Sequence, residues 1–163
     1  IEVTAYGKSA HASTPQEGDN AVIKMLKVLG AKDAELKKIY DAFYTFTGKG
    51  CKLDLSDKES GALTVNLGII DTENGKLDFV LDIRYPVTVS EDTIFSILSK
   101  HFNDYDITKP HFHLPLYVDK NDELVQTLLS TYNKVMGENA NPISIGGGTY
   151  ARAMKKEIGR AHV

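Results

Sequence analysis

The 163 residues are 42% hydrophobic and 25% charged with a net charge of -3, which suits a globular protein with one good core and part of a second. No concentrated basic face is present, which argues against nucleic acid as the main partner, and no apolar run approaches the roughly 20 residues that span a bilayer. Cys51 is alone, so an internal disulfide is excluded and a reducing, cytoplasmic setting is expected.

Taken in chain order, Ile1 to Tyr6 alternates apolar and polar residues and predicts a half-buried strand. Gly7, Pro15 and Gly18 then break the pattern into a loop, which presents His11 among small residues. Small neighbours let a large group approach that ring, although on the loop alone an exposed histidine without a task is the favoured reading. Val22, Met25, Leu26 and Leu29 recur at helical spacing, with Asp19 or Asn20 placed to cap the first turn. Asp33 can cap a second helix, whose Leu36, Ile39, Tyr40 and Phe43 share one side. Residues 51–61 read as a loop or weak strand.

Leu63, Val65, Leu67 and Ile69 alternate with polar residues or glycine, and Leu77, Phe79, Leu81 and Ile83 alternate with Asp78, Val80 and Asp82. A two-residue Asn-Gly turn at residues 74–75 would set the apolar side of one strand against the polar side of the other. A three-residue loop with Gly75 left-handed is therefore expected, pairing Leu67 with Leu81 and Asn66 with Asp82. Thr64, Asn66, Asp82 and Arg84 then share one face. There Arg84 either pairs with Asp82 at the surface or makes a forked contact with a substrate carboxylate.

Thr88 and Glu91 have capping-box spacing for a helix carrying Ile94, Ile97 and Leu98, and a last strand is expected over residues 105–113. The order βαββαβ, with one additional helix, predicts an α+β, ferredoxin-like domain over residues 1–114. Beyond it, Leu124, Val125, Leu128, Leu129, Tyr132, Val135 and Met136 line an amphipathic helix stopped near Gly137. Pro142 to Ile145 reads as a short buried strand. Gly146-Gly147-Gly148-Thr149 follows before a further helix, and its backbone N–H groups suit an anion or simply a tight packing turn. The spacing is not that of a nucleotide loop. His111 and His113 fall on one side of a strand, but no residue is spaced to complete a metal site, so none is assigned. His101 is expected to favour a helix C-terminus and nothing more.

Three segments in this order carry a resemblance: the run Gly7-Lys8-Ser9-Ala10-His11-Ala12-Ser13-x-Pro15-x-x-Gly18-x-Asn20-Ala21, the strand ending in Asp82-Ile83-Arg84-Tyr85-Pro86, and Gly146 to Thr149. Together they resemble the lid domain and returning catalytic segment of M20 family zinc peptidases, most nearly the PepV-like dipeptidases, over residues 1–156. The resemblance implies that His11 is catalytic and donates a hydrogen bond to the tetrahedral oxyanion. It implies that Arg84, with Asn66 on the same face, and Gly147, Gly148 and Thr149 bind the substrate's carboxylate end. It also implies two zinc ions whose ligands lie outside this chain, and a short peptide as substrate.

Residues 1–114 would then be part of a lid and residues 115–156 part of a catalytic domain. Residues 157–163 read like a translated sequencing adapter and are set apart. The chain opens without Met inside an apparent strand, as a fragment does, and a fragment lacking the metal ligands is expected to be inactive alone. The resemblance leaves open whether His11 serves its own chain or a partner's, so monomer and homodimer stand side by side. Two other readings remain: an M20 deacylase acting on N-acyl amino acids, and a non-catalytic ferredoxin-like binding or dimerisation module.

Overall fold

The computed structural model describes residues 2–109, 113 and 115–145. The chain divides into a unit of residues 1–110 and a unit of residues 111–163.

In the first unit, helices α1 (Ala21–Leu29) and α2 (Ala34–Phe43) form where the apolar spacing predicts them. Asn20 caps α1, accepting from the N–H groups of Val22 and Ile23, and Asp33 caps α2, accepting from those of Glu35 and Leu36. Residues 51–61 yield only a pair of two-residue strands, β1 (Ser56–Asp57) and β2 (Gly61–Ala62). The main sheet is the antiparallel hairpin of β3 (Thr64–Glu73) and β4 (Lys76–Arg84). Helix α3 (Glu91–His101) follows.

The expected pairing is present, with Leu67 opposite Leu81 and Asn66 opposite Asp82, but the device behind it differs. Glu73 pairs with Lys76, so the turn has two residues, Asn74 and Gly75, both at positive φ (51° and 77°). That backbone matches the twist of the strands, and Asn-Gly is the dipeptide that tolerates it best. The pattern is restored by a bulge between Leu67 and Ile69, where Gly68 is the extra residue. Leu63, Val65 and Leu67 therefore stay inside while Ile69 and Val80, paired beyond the bulge, face solvent.

One cluster joins the elements. Leu26 of α1, Ile39, Ala42 and Phe43 of α2, Ile94 and Leu98 of α3, and Val65 and Leu67 of β3 are all buried in it, with Cys51, Leu53, Leu63 and Phe102. Each large aliphatic side chain so buried contributes about 1.5–3 kcal/mol. Phe102 stacks on Phe43 at 5.6 Å and meets Phe79 and Tyr105 at 5.5 and 5.4 Å, which fastens the end of α3 to α2 and β4. Burial pushes the Cys51 thiol up to about 11, so it stays protonated and packs as a small apolar group.

The α+β class is as expected, but the ferredoxin-like order is incomplete among the described residues. Residues 2–7 and 105–109 form no strand, and Val3 and Tyr6 are exposed. Alternation marks a chain as able to enter a sheet, but a strand exists only where a neighbour takes up its backbone hydrogen bonds. The expected capping box is also shifted. Ser90, not Thr88, caps α3 by accepting from the Thr93 N–H, while Thr88 is engaged elsewhere.

Thr88 donates to Asp57 through both its N–H (3.2 Å) and its hydroxyl (2.9 Å). The same carboxylate accepts from the N–H and hydroxyl of Ser60. Desolvation works to raise the Asp57 pKa, but these donors together outweigh it and hold it at about 2, against 3.8 ordinarily. Because the folded value is the lower one, this clasp stabilises the fold above pH 3.8 and is lost as pH falls through about 2. In thermal unfolding followed from pH 6 to pH 2, Asp57→Asn is accordingly expected to flatten the acid fall in Tm; an unchanged slope would remove the clasp from the acid response.

In the second unit, α4 (Glu123–Met136) begins at Asp122, which accepts from the Leu124 N–H, and ends at Gly137 with φ 69°. The short buried strand expected at Pro142–Ile145 is not formed: Ile143 is 75% exposed and Ile145 45%. An apolar run of four residues becomes a buried strand only between partners, and none pairs with it among the described residues.

Candidate functional site

The histidine loop is held at both ends. Lys8 and Asp19 exchange two backbone hydrogen bonds of 2.9 Å, which close the residues between them into a compact surface loop. Gly7 permits this closure, since a Cβ there would lie 2.3 Å from the Asp19 carbonyl oxygen. Lys24 of α1 reaches back to the Tyr6 carbonyl at 2.9 Å and pairs with Asp19. Inside the loop, Pro15–Glu17 forms a 3-10 turn, and the His11 carbonyl accepts from the Thr14 N–H at 2.9 Å.

Asn20 ties this loop to the hairpin. While its Oδ1 caps α1, its Nδ2 donates to Asn66 Oδ1 (3.1 Å) and to the Leu67 carbonyl (2.9 Å). One half-buried amide thus joins the end of the His11 loop, the start of α1 and the polar face of β3. The cap was legible in the sequence; the cross-link was not, because its partner lies 46 residues away.

His11 is exposed and its ring bonds locally. Nδ1 lies 2.7 Å from Ser13 Oγ and accepts from the Ser13 N–H at 3.2 Å. Arg84 is engaged by Asp82, with Nε and Nη2 donating to the two carboxylate oxygens at 2.8 and 3.0 Å. Both side chains are 41% exposed, so this is the surface pair foreseen as one alternative, and its own contribution to stability is small. The fork uses two of the five guanidinium donors, which leaves Nη1 for a further acceptor. Thr64, opposite Arg84, has a buried hydroxyl with no hydrogen-bond partner. Asn66, opposite Asp82, keeps its NH2 group as a donor, since only its oxygen is used by Asn20.

Asn20, at the end of the His11 loop, is hydrogen-bonded to Asn66, Asn66 is strand-paired with Asp82, and Asp82 holds Arg84. Gly147, Gly148 and Thr149 lie outside the described residues, as does His111. His113 is exposed. His101 differs from expectation: its Nε2 is buried without a partner at the end of α3, and burial together with the Lys38 charge holds its pKa below the usual value. A neutral ring gains nothing from the helix dipole.

Among the described residues, no group of three or more His, Cys, Asp and Glu side chains converges to hold a metal ion, so these residues do not furnish a zinc site by themselves. No helix among them is long and apolar enough to cross a membrane.

Residues 1–109 match the model of the peptidase dimerisation domain of the M20 group. Relatives over most of the chain include the "Putative dipeptidase YtjP" of Bacillus subtilis (strain 168), 35% identical over 94% of this chain and 35% of that protein. The "Putative dipeptidase SAR1836" of Staphylococcus aureus (strain MRSA252) is 31% identical over 97% of this chain and 36% of that protein. The "Putative dipeptidase SAUSA300_1697" of Staphylococcus aureus (strain USA300) is 30% identical over the same shares. The chain therefore spans little more than a third of the length of the curated relatives it matches. A family match across this much of the chain, over the unit that carries the pinned histidine loop and the polar hairpin face, makes the chain a member of the M20 peptidase dimerisation domain family.

Proposed function

We propose that this chain supplies the lid of an M20 dipeptidase, with His11 donating a hydrogen bond to the oxyanion that forms when a short peptide is hydrolysed. The observation that carries the reading is the His11 loop itself. It is closed by the Lys8–Asp19 pairing and fastened through Asn20 to the hairpin, so the imidazole is an exposed donor on a fixed support. Preorganised donors of this kind account for a large share of acyl-transfer catalysis. Arg84 and Asn66 take the peptide's carboxylate, and the resemblance alone gives Gly147, Gly148 and Thr149 a donor role toward the substrate. Recognition of both ends of the reacting unit favours dipeptides over long chains.

Zinc belongs to this reading as the metal of the whole enzyme, with both ions held by residues outside this chain. Residues 1–114 form part of the lid and residues 115–156 part of a catalytic domain, in a cytoplasmic enzyme. The description of the matched family as a dimerisation domain favours the homodimer over the monomer. The names of the relatives favour the dipeptidase over the deacylase. Hydrolysis of dipeptides by the full-length protein is accordingly expected to exceed hydrolysis of the matching N-acyl amino acids by about tenfold or more in kcat/KM. Preference for the acyl substrates would replace the dipeptidase with the deacylase.

A further inference from the structure

The hydrogen bonds at the His11 ring point to a second residue in the same task. A backbone N–H can only donate, so the bond from the Ser13 N–H makes Nδ1 an acceptor. The Ser13 hydroxyl, 2.7 Å from the same nitrogen, then donates to it as well. With Nδ1 occupied in this way, the proton of the neutral ring resides on Nε2, at the other edge of the imidazole. The turn from His11 to Thr14, closed by the Thr14 N–H on the His11 carbonyl, keeps Ser13 beside the Nδ1 edge of the ring.

We infer that Ser13 is a positioning residue, which fixes His11 in the Nε2–H tautomer and aims that N–H at the substrate's developing oxyanion. This rests on the catalytic reading of His11 and adds to it the residue that sets which nitrogen donates. The tautomer matters because a ring protonated at Nδ1 would present Nε2 as a lone pair to an anion, and would repel where it should bind. Ser13 is half-buried and bonds the ring at Nδ1, the nitrogen turned away from the oxyanion in this reading, so it acts through the ring. Thr retains a hydroxyl at the same position, whereas Ala retains only the backbone N–H.

The test combines a spectrum and rates on the full-length protein. In 15N-labelled protein, the His11 ring is expected to show an unprotonated, hydrogen-bonded Nδ1 and a protonated Nε2. Ser13→Ala is expected to lower kcat for a dipeptide roughly tenfold with KM nearly unchanged, the size of one lost hydrogen bond. Ser13→Thr is expected to restore most of that loss. His11→Ala, run alongside, separates the two levels. If it lowers kcat about 100 fold or more while Ser13→Ala keeps full kcat, the role of Ser13 is overturned and that of His11 stands. A ring protonated at Nδ1 overturns the Ser13 inference whatever the rates are. Equal loss in Ser13→Ala and Ser13→Thr would likewise overturn it, since the hydroxyl would then not be the cause.

Discussion

His11→Ala in the full-length enzyme is expected to lower kcat for dipeptide hydrolysis about 100 to 1000 fold, the usual effect of removing one oxyanion donor. KM should change little, because the bond is made only as negative charge develops on the substrate oxygen. Ala is the informative replacement because it removes every side-chain donor, whereas the NH2 of a Gln could still serve the oxyanion. The loop should survive the change. Its closure depends on the Lys8–Asp19 backbone pair and the Asn20 cross-links, none of which uses the imidazole. A steady-state assay with the fold checked by circular dichroism decides the matter.

Arg84→Ala is expected to act on the other parameter, raising KM and lowering kcat/KM by about 10 to 100 fold through the loss of a charge-assisted contact to the peptide carboxylate. Arg84→Lys should recover little, because an ammonium cannot hold Asp82 and a second carboxylate at once as the planar fork can. Asp82 is the built-in competitor for this site. Its two oxygens occupy Nε and Nη2, so the substrate either binds at Nη1 or displaces the pair. Fold stability should hardly change in Arg84→Ala, since the ion pair it removes is a surface one. Dipeptide amides, which lack the carboxylate, should lose nothing further in the variant.

The local elements were legible because their causes are local. Helix α2 follows from the Asp33 cap and the spacing of Leu36, Ile39, Tyr40 and Phe43, and the end of α4 follows from Gly137. The hairpin pairing was read correctly through the wrong turn. Asn74-Gly75 forms the two-residue turn its sequence favours, and the bulge at Gly68 supplies the compensating residue. A glycine in a strand is compatible with a bulge or with none, so the alternation alone could not distinguish them.

What could not be read is long-range. Asn20 to Asn66 and Asp57 to Thr88 join residues 46 and 31 apart, through side chains that each look sufficient for a local cap or turn. Thr88 was the expected cap for α3, but Ser90 takes that place while Thr88 donates to Asp57. The outer strands of the expected ferredoxin-like order carry the pattern but lack a partner in the described chain. His11 and Arg84 stood out through the resemblance of their motifs, whereas Ser13 did not, because its importance lies in which ring nitrogen it meets.

The most direct measurement of the central claim is the affinity of a phosphinic dipeptide analogue, whose tetrahedral oxygens mimic the intermediate, for the full-length enzyme and its His11→Ala variant. Titration calorimetry is expected to show weakening by the same factor as the fall in kcat/KM, with the binding of a product amino acid unaltered. Equal affinity of the analogue for both proteins would contradict the assignment of His11 to the oxyanion.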